Sequence, residues 1–267
     1  MRSIEQLLDL TGRKALITGG AGHIGRTAAE TLIELGARVA LLDVDVAVLE
    51  EKADTMTGFR SSRSITTEVD LLSENRTRDG VKDVIRQLEG IDIIIHSAGY
   101  VASMQADGWA VPFEGQQVAA WDAAIRVNLT SAFILVQEAR PCLKDSGNGS
   151  VILVSSIYGM SGPDLRLYEE TDMNNPAGYN ASKGGLLQLT RYLATVLAPE
   201  VRVNAISPGG IWRSQPEAFR ERYEDRTPLK RMAVEEDLKG AVAYLASDLS
   251  AYVTGHNLVV DGGWTTW

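Results

Sequence analysis

Tyr179 and Lys183 stand four residues apart in a stretch of helical period, so their side chains share one face. Such a pair could move a proton. A free phenol titrates near ~10, and bringing it into use near neutrality takes about 4 kcal/mol, part of which a neighbouring ammonium supplies by favouring the phenolate. The spacing alone carries little weight: with 8 Tyr and 7 Lys in 267 residues, about 0.2 such pairs arise by chance, and an isolated pair is a surface contact. Two further groups change the weighing. Ser155 and Ser156 close an apolar run and would present a hydroxyl where a carbonyl oxygen needs a donor. Asn128, in "IRVNLTS", falls mid-helix, where asparagine is a mediocre helix former, so it either caps a kink or joins the site.

A second set of residues suits a dinucleotide. "ITGGAGHIG" contains Gly20-x-Gly22-x-x-Gly25 between an apolar run and a helical one. Glycine permits a sharp turn and close approach to a pyrophosphate, and a helix start offers free amides and a positive dipole end. Asp43 ends the next apolar run, 18 residues after Gly25, near the ~20 expected of an acid that accepts hydrogen bonds from an adenosine ribose. Its carboxylate would repel a 2′-phosphate, and Val44 and Asp45 offer no compensating cation, so NAD is expected rather than NADP. The alternative is that "LDVD" merely ends a strand on a solvated acid.

The elements that must position these groups alternate along the chain. Apolar runs at 14–20, 38–45, 64–71, 91–99, 150–156, 201–210 and 256–263 read as strands, and segments at 24–36, 46–57, 74–89, 121–145, 180–198 and 235–247 as helices. Continuously apolar strands are covered on both faces, which predicts an α/β fold with a parallel sheet. The segments 100–120, 160–178 and 209–232 have least periodicity and follow strand carboxyl ends, where wound sheets bind ligands.

Composition narrows the remainder. Hydrophobic residues make up 45% and charged residues 23%, sufficient for an ordinary core, and 267 residues suit one α/β domain. A net charge of −9 argues against nucleic acid or an anionic membrane surface as partner. Cys142 is the only cysteine, so no internal disulfide can form. The acidic N-terminus is unlike a signal peptide, and no run approaches the ~18 apolar residues of a membrane span, so a cytoplasmic protein is expected. His23, His96 and His256 lack metal-ligand spacing, and no metal is expected.

These motifs together resemble the short-chain dehydrogenase/reductase family from end to end: "TGGAGHIG", "HSAG", "WDAAIRVN", "VILVSSIYG", "YNASK", "NAISPGG" and "VTGHNLVVDGG" occur in the family's order. The resemblance implies a single-domain Rossmann-type doubly wound parallel sheet over residues 1–267 with helices on both faces. It implies Tyr179 as acid–base, Ser156 positioning the reacting oxygen, Lys183 holding the nicotinamide ribose and lowering the Tyr179 pKa, and Asn128 supporting a water relay. Ser156 matches rather than Ser155, because two residues and Gly159 follow it. The same matching implies cofactor contacts at Gly19, Gly22, His23, Ile24 and Gly25, at Asp70 (adenine) and Leu71, at Ala98 and Gly99, and at Pro208, Gly209 and Ile211 (carboxamide). A lid corresponds to about 212–232.

Two departures bear on the substrate. His23 replaces the middle glycine of the common turn, and the spacing Gly19, Gly22, Gly25 is that of the extended branch of nucleotide-sugar epimerases and dehydratases, whose added substrate domain this chain is too short to hold. Ser156 and Tyr179 lie 23 residues apart, about twice the family's usual separation. The inserted "PDLRLYEETDMNNPAG" would form a polar wall, with Tyr168, Glu169, Glu170, Asp172 and Asn174 facing a hydroxylated or amino-bearing substrate, or else a solvated loop or subunit contact. This segment resembles a branch associated with flagellin modification and nonulosonic-acid biosynthesis, which agrees with a sugar or sugar phosphate. Trp212 and Arg213 are candidate substrate contacts, and Arg213, Arg220, Arg222 and Arg226 could meet a phosphate. The terminal "WTTW" predicts a buried tail in a homo-oligomer, a tetramer or dimer. The expected activity is interconversion of a secondary alcohol and a ketone on a sugar, sugar phosphate or polyol. The alternatives are an epimerase or dehydratase that retains NAD, and a non-catalytic NAD-binding regulator.

Overall fold

The computed structural model describes residues 1–100 and 106–267, so part of the 100–120 segment lies outside the described residues. Seven strands form one parallel sheet: β1 (Lys14–Thr18), β2 (Arg38–Asp43), β3 (Ile65–Glu68), β4 (Ile93–His96), β5 (Gly149–Val154), β6 (Val201–Pro208) and β7 (Asn257–Val260). Their spatial order is β3-β2-β1-β4-β5-β6-β7, all neighbours parallel. The direction of winding reverses between β1 and β4, and a crevice opens there at the carboxyl ends.

The helices are α1 (Ile4–Leu8), α2 (His23–Glu34), α3 (Val46–Asp54), α4 (Glu74–Leu88), α5 (Val118–Ile125), α6 (Ser131–Asp145), α7 (Ala177–Val196), α8 (Glu217–Arg226) and α9 (Lys239–Ala246). Strand alternation divides the core into two layers. Ile17, Leu41, Ile95 and Ile152 pack under α2, α3 and α9 on one face. Leu16, Leu42, Ile94 and Val151 pack under α4, α6 and α7 on the other. Every residue of β4 and β5 is buried, which explains why these strands read as unbroken apolar runs.

Two segments differ from the sequence expectation. The predicted helix at 121–145 begins at Val118 and carries a π-helical turn, Arg126–Thr130, centred on Asn128. By length and composition Val118–Asp145 could cross a membrane, with mean hydropathy 1.3. Here α6 is instead a core helix, with Ile134, Leu135, Val136, Ala139 and Leu143 buried. The segment 209–232 lacks apolar periodicity because α8 buries only Phe219 and Tyr223.

Candidate active site

A cavity of about 530 Å³ runs along the carboxyl ends of β1, β2, β3 and β4. Gly19 (φ +71°) turns the chain beneath Ala98, and a Cβ there would lie 2.7 Å from the Ala98 backbone. A Cβ on Gly25 would lie 2.1 Å from the Gly19 carbonyl oxygen, so the turn and the first coil of α2 close on each other only as glycines. Gly22 caps α2 with no side-chain hydrogen bond, leaving the first amides free for an anion. Gly19, Gly22, His23, Ile24, Gly25, Asp43, Asp70, Leu71, Ala98 and Gly99 all line this cavity. The Asp43 carboxylate accepts from the amides of Ala21 (2.9 Å) and Val44 (2.8 Å), which fixes it at the rim. The glycine cradle, the free helix start and the rim carboxylate fit a dinucleotide.

A second cavity of about 480 Å³ adjoins it beyond β5 and β6. Ser156, Tyr179, Pro208, Gly209 and Ile211 line it, so the last three serve this side rather than the glycine turn. The two serines at the end of β5 have separate tasks. The Ser155 hydroxyl donates to the Lys183 carbonyl (2.8 Å), tying α7 to the strand end, whereas Ser156 hydrogen-bonds the Tyr179 phenol. Gly159 is forced by the same contact, since a Cβ would lie 2.8 Å from the Lys183 backbone.

Burial raises the Tyr179 phenol above its ordinary value, and the Ser156 hydrogen bond and the Arg213 charge work against that rise. Lys183 lies with Nζ 5.6 Å from the Tyr179 ring centroid and donates to the Val154 carbonyl (2.8 Å). Burial pushes its ammonium down to about 8.

Asn128 sits within the π turn with its side chain fully used. Oδ1 accepts from the Tyr100 amide (2.5 Å), and Nδ2 donates to Ser182 Oγ (2.9 Å). Its backbone carbonyl accepts from His96 Nε2 (3.1 Å), which requires the Nε2–H tautomer, with Nδ1 accepting from Thr18 Oγ1 (2.8 Å). Burial, with the Lys183 charge, holds His96 near about 3 and therefore neutral. His96 links the first strand to the π turn, and its placement in "HSAG" gave no sign of this.

The insertion reaches the second cavity with Tyr168, Asp172, Met173, Asn174, Asn175 and Pro176. The Tyr158 and Tyr168 hydroxyls are 2.8 Å apart, and Asn175 Nδ2 donates to Tyr168 (3.1 Å). Tyr158 and Asn175 are wall residues that the sequence did not single out. Glu169 is a correction: it is exposed and outside the cavity, with its carbonyl bound by Arg222, because Leu167 and Tyr168 take the inward positions of their 3-10 turn. Glu170 likewise faces out, paired with Arg222 at 3.5 Å. Trp212 also lies outside the cavity lining, stacked under Arg220 with the guanidinium 5.2 Å from its ring. Asp164 binds Arg226 (2.7 Å), whose guanidinium lies 4.3 Å over Trp264. Insertion, α8 and the C-terminal tail are thereby joined. Trp264 is buried within its own chain, and Trp267 is exposed.

A family model described as enoyl-(acyl carrier protein) reductase matches residues 19–265. D-arabinitol 2-dehydrogenase [ribulose-forming] of Scheffersomyces stipitis is 32% identical, the match covering 97% of this chain and 95% of that one. A short chain dehydrogenase from Leptospira borgpetersenii with bound NAD+ superposes with a TM-score of 0.84 at 33% identity, covering 99% of this chain and 96% of that one. NADPH-dependent 3-quinuclidinone reductase from Rhodotorula rubra superposes at 0.86 with 27% identity, covering 100% and 96%. Substrates and cofactors thus differ among chains of this likeness, whereas the sheet and chemistry class are shared. The chain belongs to the short-chain dehydrogenase/reductase family, oxidoreductases that bind a nicotinamide dinucleotide and act on small molecules.

Proposed function

We propose that this protein is an NAD-dependent dehydrogenase that interconverts a secondary alcohol and a ketone on a sugar, sugar phosphate or polyol, working as one dinucleotide-binding and catalytic domain. The observation that carries this is the cavity shared by Ser156, Tyr179 and the hydroxyl and amide groups of Tyr158, Tyr168, Asn174 and Asn175. An alcohol that enters it meets Tyr179, as its phenolate, as proton acceptor and the Ser156 hydroxyl as donor to its oxygen. In the reverse direction Tyr179 returns the proton to the ketone oxygen. NAD, when bound, supplies the hydride acceptor, for which the protein has no substitute.

Lys183 spends one of its three donors on Val154 and keeps the others for a ribose. Asn128 holds the π turn in place behind it. Asp43 at the rim supports NAD over NADP, because a 2′-phosphate would sit against a carboxylate. The hydroxyl and amide groups on the insertion side of this cavity support a hydroxylated substrate over an acyl chain. Exposed Trp121, Phe133 and Tyr192 on α5, α6 and α7 support a homo-oligomer, and we place it in the cytoplasm. Absorbance of reduced nicotinamide, followed with a panel of polyols and keto-sugars, tests the reading. Turnover with NAD on at least one member is expected; turnover with NADP alone would overturn the cofactor assignment, and activity confined to acyl thioesters would overturn the substrate class.

A further inference from the structure

Four arginines near the lid were candidates for a phosphate, and their surroundings separate them. Arg220 pairs with Glu217 and Glu224, Arg222 with the insertion, and Arg226 with Asp164. None of the three lines either of the two cavities. Arg213 lines both, and among the described residues it is the only Lys or Arg that lines either.

Its aim is set by the backbone. Ser214 adopts a left-handed conformation (φ +63°). Gln215 clasps the turn from both sides, accepting from the Arg213 amide (2.7 Å) and donating to the Ile211 carbonyl (2.8 Å). The guanidinium uses only Nε in a hydrogen bond, to Glu235 Oε1 (3.1 Å), and its terminal nitrogens make none among the described residues. That same Glu235 oxygen lies 3.2 Å from His23 Nδ1 on the glycine turn. Glu235 is held opposite by the pairing of Ile211 with Ala233. One carboxylate oxygen therefore stands between a cation shared by both cavities and the residue at the start of α2.

We propose that Arg213 is an anion-binding side chain that exchanges Glu235 for a phosphoryl group, either the diphosphate of the dinucleotide at the glycine turn or a phosphate carried by the substrate. The inference rests on the dehydrogenase reading for the identity of the two cavities. A phosphoryl group offers several charged acceptors to a planar fork of donors, whereas the single shared oxygen of Glu235 satisfies one of them. Glu235 then fills the anion position only until a phosphoryl group takes it.

Calorimetric titration of wild type, Arg213→Gln and Glu235→Gln with NAD, and of the NAD-saturated proteins with inorganic phosphate, tests this without turnover. If Arg213→Gln weakens NAD roughly tenfold, the proposal holds and the anion is the diphosphate. If it spares NAD and removes phosphate binding to the saturated protein, the proposal holds and the anion belongs to the substrate. Arg213→Gln that leaves both titrations unchanged overturns it. Glu235→Gln is expected to tighten the affected anion about two- to threefold, since a competitor is gone. If that variant instead weakens the same anion, Glu235 positions Arg213 and the exchange is wrong. Thermal unfolding of both variants confirms that they are folded. A protein that passes these titrations yet reduces NAD with no polyol sinks the dehydrogenase reading alone.

Discussion

The two cavities that meet at Arg213 are built by opposite means. The dinucleotide side is shaped by backbone: Gly19 and Gly25 let strand, turn and helix close to distances that a single Cβ forbids, and the carboxylates of Asp43 and Asp70 line its far end. The substrate side is shaped by side chains that meet across long stretches of sequence. Asp164 reaches Arg226, Arg226 covers Trp264, and Tyr168 bonds Tyr158. A backbone cradle tolerates almost no change at a few positions, whereas a side-chain clasp spreads its tolerance and can be altered without loss of the fold. Specificity can therefore vary on the second side while cofactor binding stays fixed on the first.

Substitutions should separate the two sides. The largest effect is expected from Gly25→Val, which sets a side chain against the Gly19 carbonyl and should weaken NAD binding at least about hundredfold by calorimetry. Lys183, buried behind Tyr179, comes next. Burial lowers its native pKa to about 8 from an unfolded value near 10.5, so the buried charge costs stability in full below about 8, and that cost fades as pH rises towards 10.5. Lys183→Met should be more stable than wild type by about 2 kcal/mol at pH 7 in denaturant titrations, once the lost bond to Val154 is discounted. The difference should shrink above about pH 8 and close near about pH 10. Asp164→Ala should open the clasp, raising KM for the hydroxylated substrate about tenfold and lowering Tm by about 2–4 °C, with NAD affinity within twofold of wild type. Arg222→Ala, which removes the α8 partner of the exposed Glu170 on the insertion, should change KM less than about threefold. Equal effects of Asp164→Ala on NAD and substrate would erase the distinction between the two sides.

The same contrast explains what could be read in advance. The seven strands and the major helices follow from period and from glycine punctuation, because a doubly covered strand must be apolar throughout, and the glycine turn was legible because its spacing is a backbone requirement. Ser155 and Ser156 were told apart only by the family spacing to Gly159; that Ser155 instead ties α7 to the strand end through the Lys183 carbonyl was not legible. Within "LRLYEE" the inward residue depends on how a 3-10 turn packs against Phe219, so Tyr168 and Glu169 could not be told apart. His96 was decided by a partner 32 residues away, Asn128 in the π turn, and Trp212 by the way α8 folds back to set Arg220 over its ring.

Proton transfer by Tyr179 should be separable from cofactor binding. Comparison of Tyr179→Phe with wild type, by NAD calorimetry and by turnover of the best polyol found, tests it most directly. NAD affinity within about twofold and turnover reduced at least about a thousandfold are predicted. Turnover within about tenfold of wild type would contradict the account.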